Sequence, residues 1–172
     1  LLMPVFTPPL DTGVGYERRT IQLVDVFKDG DKYSFGFRKL RKWVRMCKRV
    51  GVKYYEISHL FTQWGCKYSP KVMATENGEY KRIFGWETEA LSDEYREFLA
   101  CFLPQLTEKL REWNIADLCR FHISDEPNKT MIDNYMKARL AVKEKLAGFP
   151  IVDALSDLEL YKSGAVEKPV PG

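Results

Sequence analysis

The chain has 172 residues, 45% of them apolar, 30% charged and 13% aromatic, with a formal net charge of +3. That length supports one domain with a sizeable core, and so small a charge argues against nucleic acid or an anionic membrane as partner. No apolar run reaches the roughly 18 residues that a membrane helix needs.

Residues 1–20, rich in Pro, Gly and Thr, read as an irregular lead-in. Ile21–Phe27 (IQLVDVF) has the near-continuous, β-branched character of a strand covered on both faces. Asp29-Gly30-Asp31 marks a turn. Phe37, Leu40, Val44 and Cys47 then recur at helical spacing up to Val50, and Gly51 supplies the stop. The basic residues from Arg38 to Arg49 flank this apolar stripe and form the solvated face of the helix, not a nucleic-acid patch. Val52–His59 is the second strand.

From Leu60 to Leu91 the pattern lapses. Ser92 caps a long helix with Asp93 and Glu94 in its first turn, the sign its dipole favours. Pro104 is expected to kink or divide that helix before Trp113. Leu118–Ser124 is the third strand. Asn128 caps a helix running to about Ala147, stopped by Gly148 and Pro150. Pro150–Leu155 is the fourth strand, and Asp157 caps a short helix ahead of Gly164.

The order β-α-β-loop-α-β-α-β predicts right-handed crossovers and a parallel sheet. No glycine-rich phosphate loop follows any strand, so a (β/α)8 barrel of the TIM type is favoured over an open doubly wound sheet. Four parallel strands make roughly half of such a barrel. The expected organisation is a partial (β/α) barrel over residues 1–172, with residues 60–91 an aromatic-rich insertion loop on its catalytic face. The chain opens on Leu1 and closes Lys168-Pro-Val-Pro-Gly172, which fits a piece cut from a longer protein. The remaining half of the barrel would then be its partner. Alone, with open sheet edges, the piece is expected to be poorly active or unstable.

The chemistry lies in Cys119-Arg-Phe-His-Ile-Ser-Asp-Glu-Pro127, where an apolar strand ends in adjacent acids. Ligands bind at the carboxyl ends of parallel strands. Two carboxyls held there repel each other, so one should keep its proton nearer to neutral pH. That suits glycoside hydrolysis, with Glu126 as acid and then base. His59, at the end of the second strand, and His122, within the third, are candidate substrate-binding or supporting groups. Of the insertion's aromatics, Trp64 and Trp86 are the candidates to stack on a sugar ring. Glu56 reads as a buried polar contact, and Asp25, Asp153 and Asp157 stay outside the expected site.

The four cysteines show neither metal-ligand spacing nor a disulfide pattern. Cys47, Cys101 and Cys119 fall in apolar patterns as small buried hydrophobes, and Cys66 falls in a loop. Two histidines cannot supply a usual zinc site, and no cofactor or metal is expected.

Three blocks carry a family resemblance: Tyr55–Gly65 (YEISHLFTQWG), Arg82–Glu87 (RIFGWE) and Phe121–Pro127 (FHISDEP). Together they resemble the catalytic domain of glycoside hydrolase family 123, which overlaps a bacterial domain family of unknown function. Gln22–Asp25 and Ile151–Asp157 fit as well. The resemblance implies a (β/α)8 barrel that removes β-linked N-acetylgalactosamine with retention, from a carbohydrate or glycoconjugate. The sugar's own 2-acetamido oxygen would attack the anomeric carbon and form an oxazoline-like intermediate. Asp125 would orient the acetamido group, and Glu126 would be acid and then base. Two alternatives stand beside it. One is a conventional retaining glycosidase with Glu126 as acid/base and its nucleophile on a later strand, since Asp-Glu-Pro resembles the Asn-Glu-Pro of that group. The other is a carbohydrate-binding barrel without activity.

Overall fold

The computed structural model describes every residue except Trp64, Asn128, Ser156, Glu167 and Gly172, and the backbone alone of Lys129, Leu155 and Pro171. In chain order, β1 (Leu2–Met3) is followed by the strands β2 (Asp25–Asp29) and β3 (Lys32–Gly36), helix α1 (Arg38–Arg49) and strand β4 (Tyr55–Ile57). Strands β5 (Val72–Glu76) and β6 (Glu79–Phe84) precede the long helix α2 (Asp93–Glu112). Strand β7 (Cys119–Phe121), helix α3 (Ile132–Lys143), strand β8 (Asp153–Leu155), helix α4 (Leu158–Lys162) and strand β9 (Pro169–Pro171) complete the order.

The result is a mixed α/β domain built on parallel pairing. Strands β1, β4 and β7 lie side by side in that order, with Met3 opposite Ile57 and Ile57 opposite Phe121. A parallel bridge from Phe121 to Ile151 leads to β8, which pairs in parallel with β9. Helices fill the crossovers, because parallel neighbours need a long connection to bring the chain back. Among the described residues these strands do not close into a barrel.

The first parallel strand is not the one expected. The lead-in holds it, at Leu2–Met3, while Ile21–Phe27 contributes β2 to a separate sheet of order β3-β2-β5-β6. Its apolar run is covered on one face only: Val24 and Val26 are buried, whereas Phe27 is 46% exposed. The supposed patternless insertion holds the other two strands of that sheet. Its alternating run turns at Asn77 and Gly78, whose φ values of 52° and 82° suit the tight reversal of a hairpin. An Asn-Gly pair between alternating residues is a hairpin signal that the aromatic content of this segment obscures.

Elsewhere local chemistry decides the elements. Helix α1 buries Leu40, Val44 and Cys47 along one stripe. It ends in a Schellman motif: Gly51 takes a φ of 84°, its N–H donates to Lys48 and that of Val52 to Cys47. In α2 the hydroxyl of Ser92 accepts the Tyr95 amide, and Asp93 and Glu94 occupy the first turn. Pro104 sits inside this helix without dividing it. Cys101 lies on the exposed side of α2, not in the core.

The face of α2 carrying Phe98 and Phe102 joins the two sheets. These rings stack 5.9 Å apart, and Phe6, just beyond β1, packs at 5.5 and 4.6 Å from them. Phe35 of β3 and Phe84 of β6 reach Phe98 at 5.8 and 5.0 Å. Among the described residues no helix is long and apolar enough to cross a membrane.

Candidate active site

Because β4 and β7 run parallel, the residues that follow them leave the sheet at the same end. The exit of β7 is held from both sides. Leu60 and Phe61, beyond β4, donate their amides to the carbonyls of His122 and Ile123 at 3.2 and 3.0 Å. From the β8 side, the carboxyl of Asp153 accepts the Ile123 amide at 3.1 and 3.3 Å. Ser124, fully buried, donates its hydroxyl to the carbonyl of Thr62 at 3.0 Å. Only beyond this clamp does the chain reach solvent, with Asp125 half-buried and Glu126 exposed. Glu126 has a φ of 45°, so the extended run stops there.

The Asp125 carboxyl is pushed above its ordinary range. Burial is the main cause, the charge of Glu126 adds to it, His122 opposes it, and Asp11 in the loop after β1 adds a little more. His59 stands beside it, 5% exposed, with Nε2 3.9 Å from Oδ1 of Asp125. Burial, and then the neighbouring His122, lower the His59 imidazole to about 3. Its Nδ1 is buried without a hydrogen-bond partner among the described residues.

The rings of His59 and His122 lie 4.6 Å apart. His122 is the differently placed member. Its Nδ1 is 3.2 Å from Oδ1 of Asp153, and its Nε2 is 3.6 Å from Oε2 of Glu56. Burial disfavours its charged form, yet Asp153 and Glu56 together outweigh that penalty and raise its pKa. Asp153 is wholly buried and also accepts the hydroxyl of Tyr135, from α3, at 2.5 Å.

Four of the expected site residues, Asp125, Glu126, His59 and His122, thus come together at one end of the sheet. Trp86 sits elsewhere, in a narrow cleft lined also by Thr7, Pro9, Tyr16, Arg18 and Thr62. Its indole N–H donates to the Tyr16 carbonyl at 2.7 Å, and Tyr68 meets it edge-on at 6.0 Å. Trp64 and the proposed cap Asn128 lie outside the described residues. Glu56, expected as a buried contact, is exposed on its side chain by 51% and still reaches His122.

The residue pattern sets Asp153 outside the expected site and singles out neither Tyr135 nor Asp11. For Asp153 a signal existed: an acid inside the apolar run Ile151-Val-Asp-Ala-Leu155 must find partners. Tyr135 and Asp11 carried none, because only the folded chain brings them near. Among the described residues, no group of three or more His, Cys, Asp or Glu side chains is placed to hold a metal ion.

The model of the family described as glycoside hydrolase 123, catalytic domain, matches residues 1–171. The chain belongs to that family. A family 123 domain is the catalytic part of a glycoside hydrolase, and its substrate is a carbohydrate. No curated protein matches this family 123 chain.

Proposed function

We propose that this domain is a retaining hydrolase of β-linked N-acetylgalactosamine, acting by substrate assistance with Asp125 and Glu126 as its catalytic pair. The observation that carries this reading is the adjacency of the two acids at the exit of one parallel strand. A conventional retaining enzyme needs two carboxyls on opposite sides of the anomeric carbon, about 5 Å apart. Consecutive residues suit another division of labour, in which neither acid is the nucleophile. The acetamido oxygen forms a bond to the anomeric carbon while the bond to the aglycone oxygen breaks and Glu126 hands that oxygen its proton. Asp125 accepts a hydrogen bond from the acetamido N–H, whose charge grows as the ring closes. Water then attacks the anomeric carbon and gives its proton to Glu126, and the oxazoline opens. His59 and His122 support the pair from behind, and Trp64 and Trp86 are the aromatic candidates for sugar contact.

The sheet is read as the first half of a (β/α)8 barrel. Three supports are the chain-order adjacency of β1, β4 and β7, the onward bridge to Ile151, and exposed Glu56 between buried Tyr55 and Ile57. That exposed face would be the interior of a closed barrel. The catalytic domain then spans residues 1–172, and residues 60–91, which follow β4, form part of its catalytic rim.

The test compares an aryl 2-acetamido-2-deoxy-β-galactoside with its 2-hydroxy counterpart on the full-length protein, alongside Asp125→Asn and Glu126→Gln. The acetamido sugar should be strongly preferred, and both variants should lose roughly 10²-fold or more in kcat. Equal cleavage of the 2-hydroxy sugar, or a trapped covalent glycosyl-enzyme, would replace this mechanism by that of a conventional retaining glycosidase. Full activity in Glu126→Gln would remove the enzymatic assignment of the pair.

A further inference from the structure

We propose that Asp153 is a positioning residue: through His122 it holds a protonated imidazole behind Asp125, fixing the place and charge of that carboxyl. The proposal rests on the assignment of Asp125 made above. Burial pushes the Asp153 carboxyl above its ordinary range, a penalty that only converging donors offset. Asp153 receives three, from separate parts of the chain: the Ile123 amide, the His122 ring and the Tyr135 hydroxyl. The first contact sets the backbone two residues before Asp125. The second sets a charge.

The geometry carries that charge toward the acids. His122 lies against His59 at 4.6 Å, and His59 reaches Asp125 at 3.9 Å. The other groups facing this cluster are mostly acids. Glu56 approaches His122 from β4, while Glu126 and Asp11 act directly on Asp125. Cys66, close to Ser124 and Asp153, keeps its thiol because burial pushes it up to about 12. On the far side, Arg139 acts on Tyr135 from α3. Without a nearby cation, Glu126 and Asp11 would drive the Asp125 carboxyl further toward its neutral form, which carries no charge to balance the one that grows on the acetamido nitrogen. An imidazolium at His122 opposes this, and Asp153 is what keeps the imidazolium charged. An amide at position 153 would still accept from Ile123 but would hold no charge on His122.

The sign follows. Removing the charge of Asp153 lets His122 lose its proton at lower pH, so Asp125 binds its own proton more tightly. The acidic limb of kcat/KM should therefore move to higher pH. In the full-length protein, Asp153→Asn and His122→Gln should each shift that limb upward by roughly half a pH unit to one unit. Most of the lost activity should lie in kcat. Tyr135→Phe, which keeps the Asp153 carboxyl but removes one of the bonds that oppose its burial, should lower the melting temperature and move the limb less than Asp153→Asn does. If Asp153→Asn does not fold, His122→Gln and the NMR titration of His122 in the unmodified protein carry the test. That ring should hold its proton above the ordinary imidazole range while His59 stays neutral. An unmoved limb in the folded variants, or a His122 already neutral at about pH 6, would overturn the proposal. Full activity in Asp125→Asn would instead remove the functional assignment beneath it, whatever the limb does.

Discussion

Nε2 of His59 stands 3.9 Å from Oδ1 of Asp125, yet the two do not form an ion pair. The imidazole is buried and its charge would sit beside His122, which together hold it neutral down to about pH 3. The contact is between a neutral ring and a carboxyl. The ring packs against Asp125 without neutralising it.

This neutrality has a consequence for stability. In the unfolded chain His59 titrates near 6.5, whereas folded it titrates at about 3. Between those values the unfolded state binds the extra proton, so stability is complete above the unfolded value and falls as pH drops toward the folded one. A difference of one bound proton gives a slope of about 1.4 kcal/mol per pH unit. His59→Gln should flatten this part of the curve, measured by denaturant unfolding between pH 7.5 and 4.5. An equally steep loss in that variant would place the acid sensitivity elsewhere.

The aromatic cluster around α2 should dominate core stability. Phe98 is fully buried and meets Phe6, Phe35 and Phe84 besides its neighbours on the helix. Phe98→Ala should cost about 3–5 kcal/mol, because the surrounding rings belong to different elements and cannot all collapse into the space. Chemical denaturation reads the loss directly, and a cost below about 1 kcal/mol would contradict the packing described.

Gln63 ties the loop after β1 to the site. It is buried, and its Nε2 donates to the carbonyls of Pro9 at 3.1 Å and Thr12 at 3.0 Å, on either side of Asp11. Gln63→Glu replaces the donor by an acceptor and turns two carbonyls toward a buried charge. We expect a loss of about 1–3 kcal/mol and faster proteolytic cleavage within residues 8–16. Limited proteolysis that left this loop as resistant as before would count against the tie.

Trp86 offers its ring at the cleft while its N–H is engaged by Tyr16. If the ring contacts sugar, Trp86→Ala should raise KM roughly tenfold, equivalent to about 1.4 kcal/mol, with kcat less affected. Trp86→Phe keeps an aromatic face and should fall between. A KM unchanged in both variants would leave the tryptophan as a support of the Tyr16 loop alone.

Much of the outline was readable residue by residue. Helix α1 announced itself through Leu40, Val44 and Cys47, and its end through Gly51. The caps at Ser92 and Asp157 needed only their own neighbours, and both accept the expected amides. The strand that leads to Asp125 and Glu126 was plain from the abrupt change of polarity, although it ends at Phe121. In each case the signal and its effect lie within a few residues.

The assignment of strands to sheets was not readable in this way. Leu2 and Met3 form a strand because Glu56 and Ile57 lie alongside, and nothing in a segment rich in proline and glycine announces that pairing. The apolar run Ile21–Phe27 is a strand, as its composition says, but which sheet it joins depends on β5, some fifty residues further along.

The sequence by itself determined the helices, the turns and the acidic pair, since propensity, capping and polarity act over one or two turns of chain. Tertiary structure alone decided what surrounds the pair: the two histidines in contact, Asp153 against His122, and Asp11 near enough to act on Asp125. Electrostatic fields depend on distance in space and on exclusion of water, and neither quantity exists until the chain has folded.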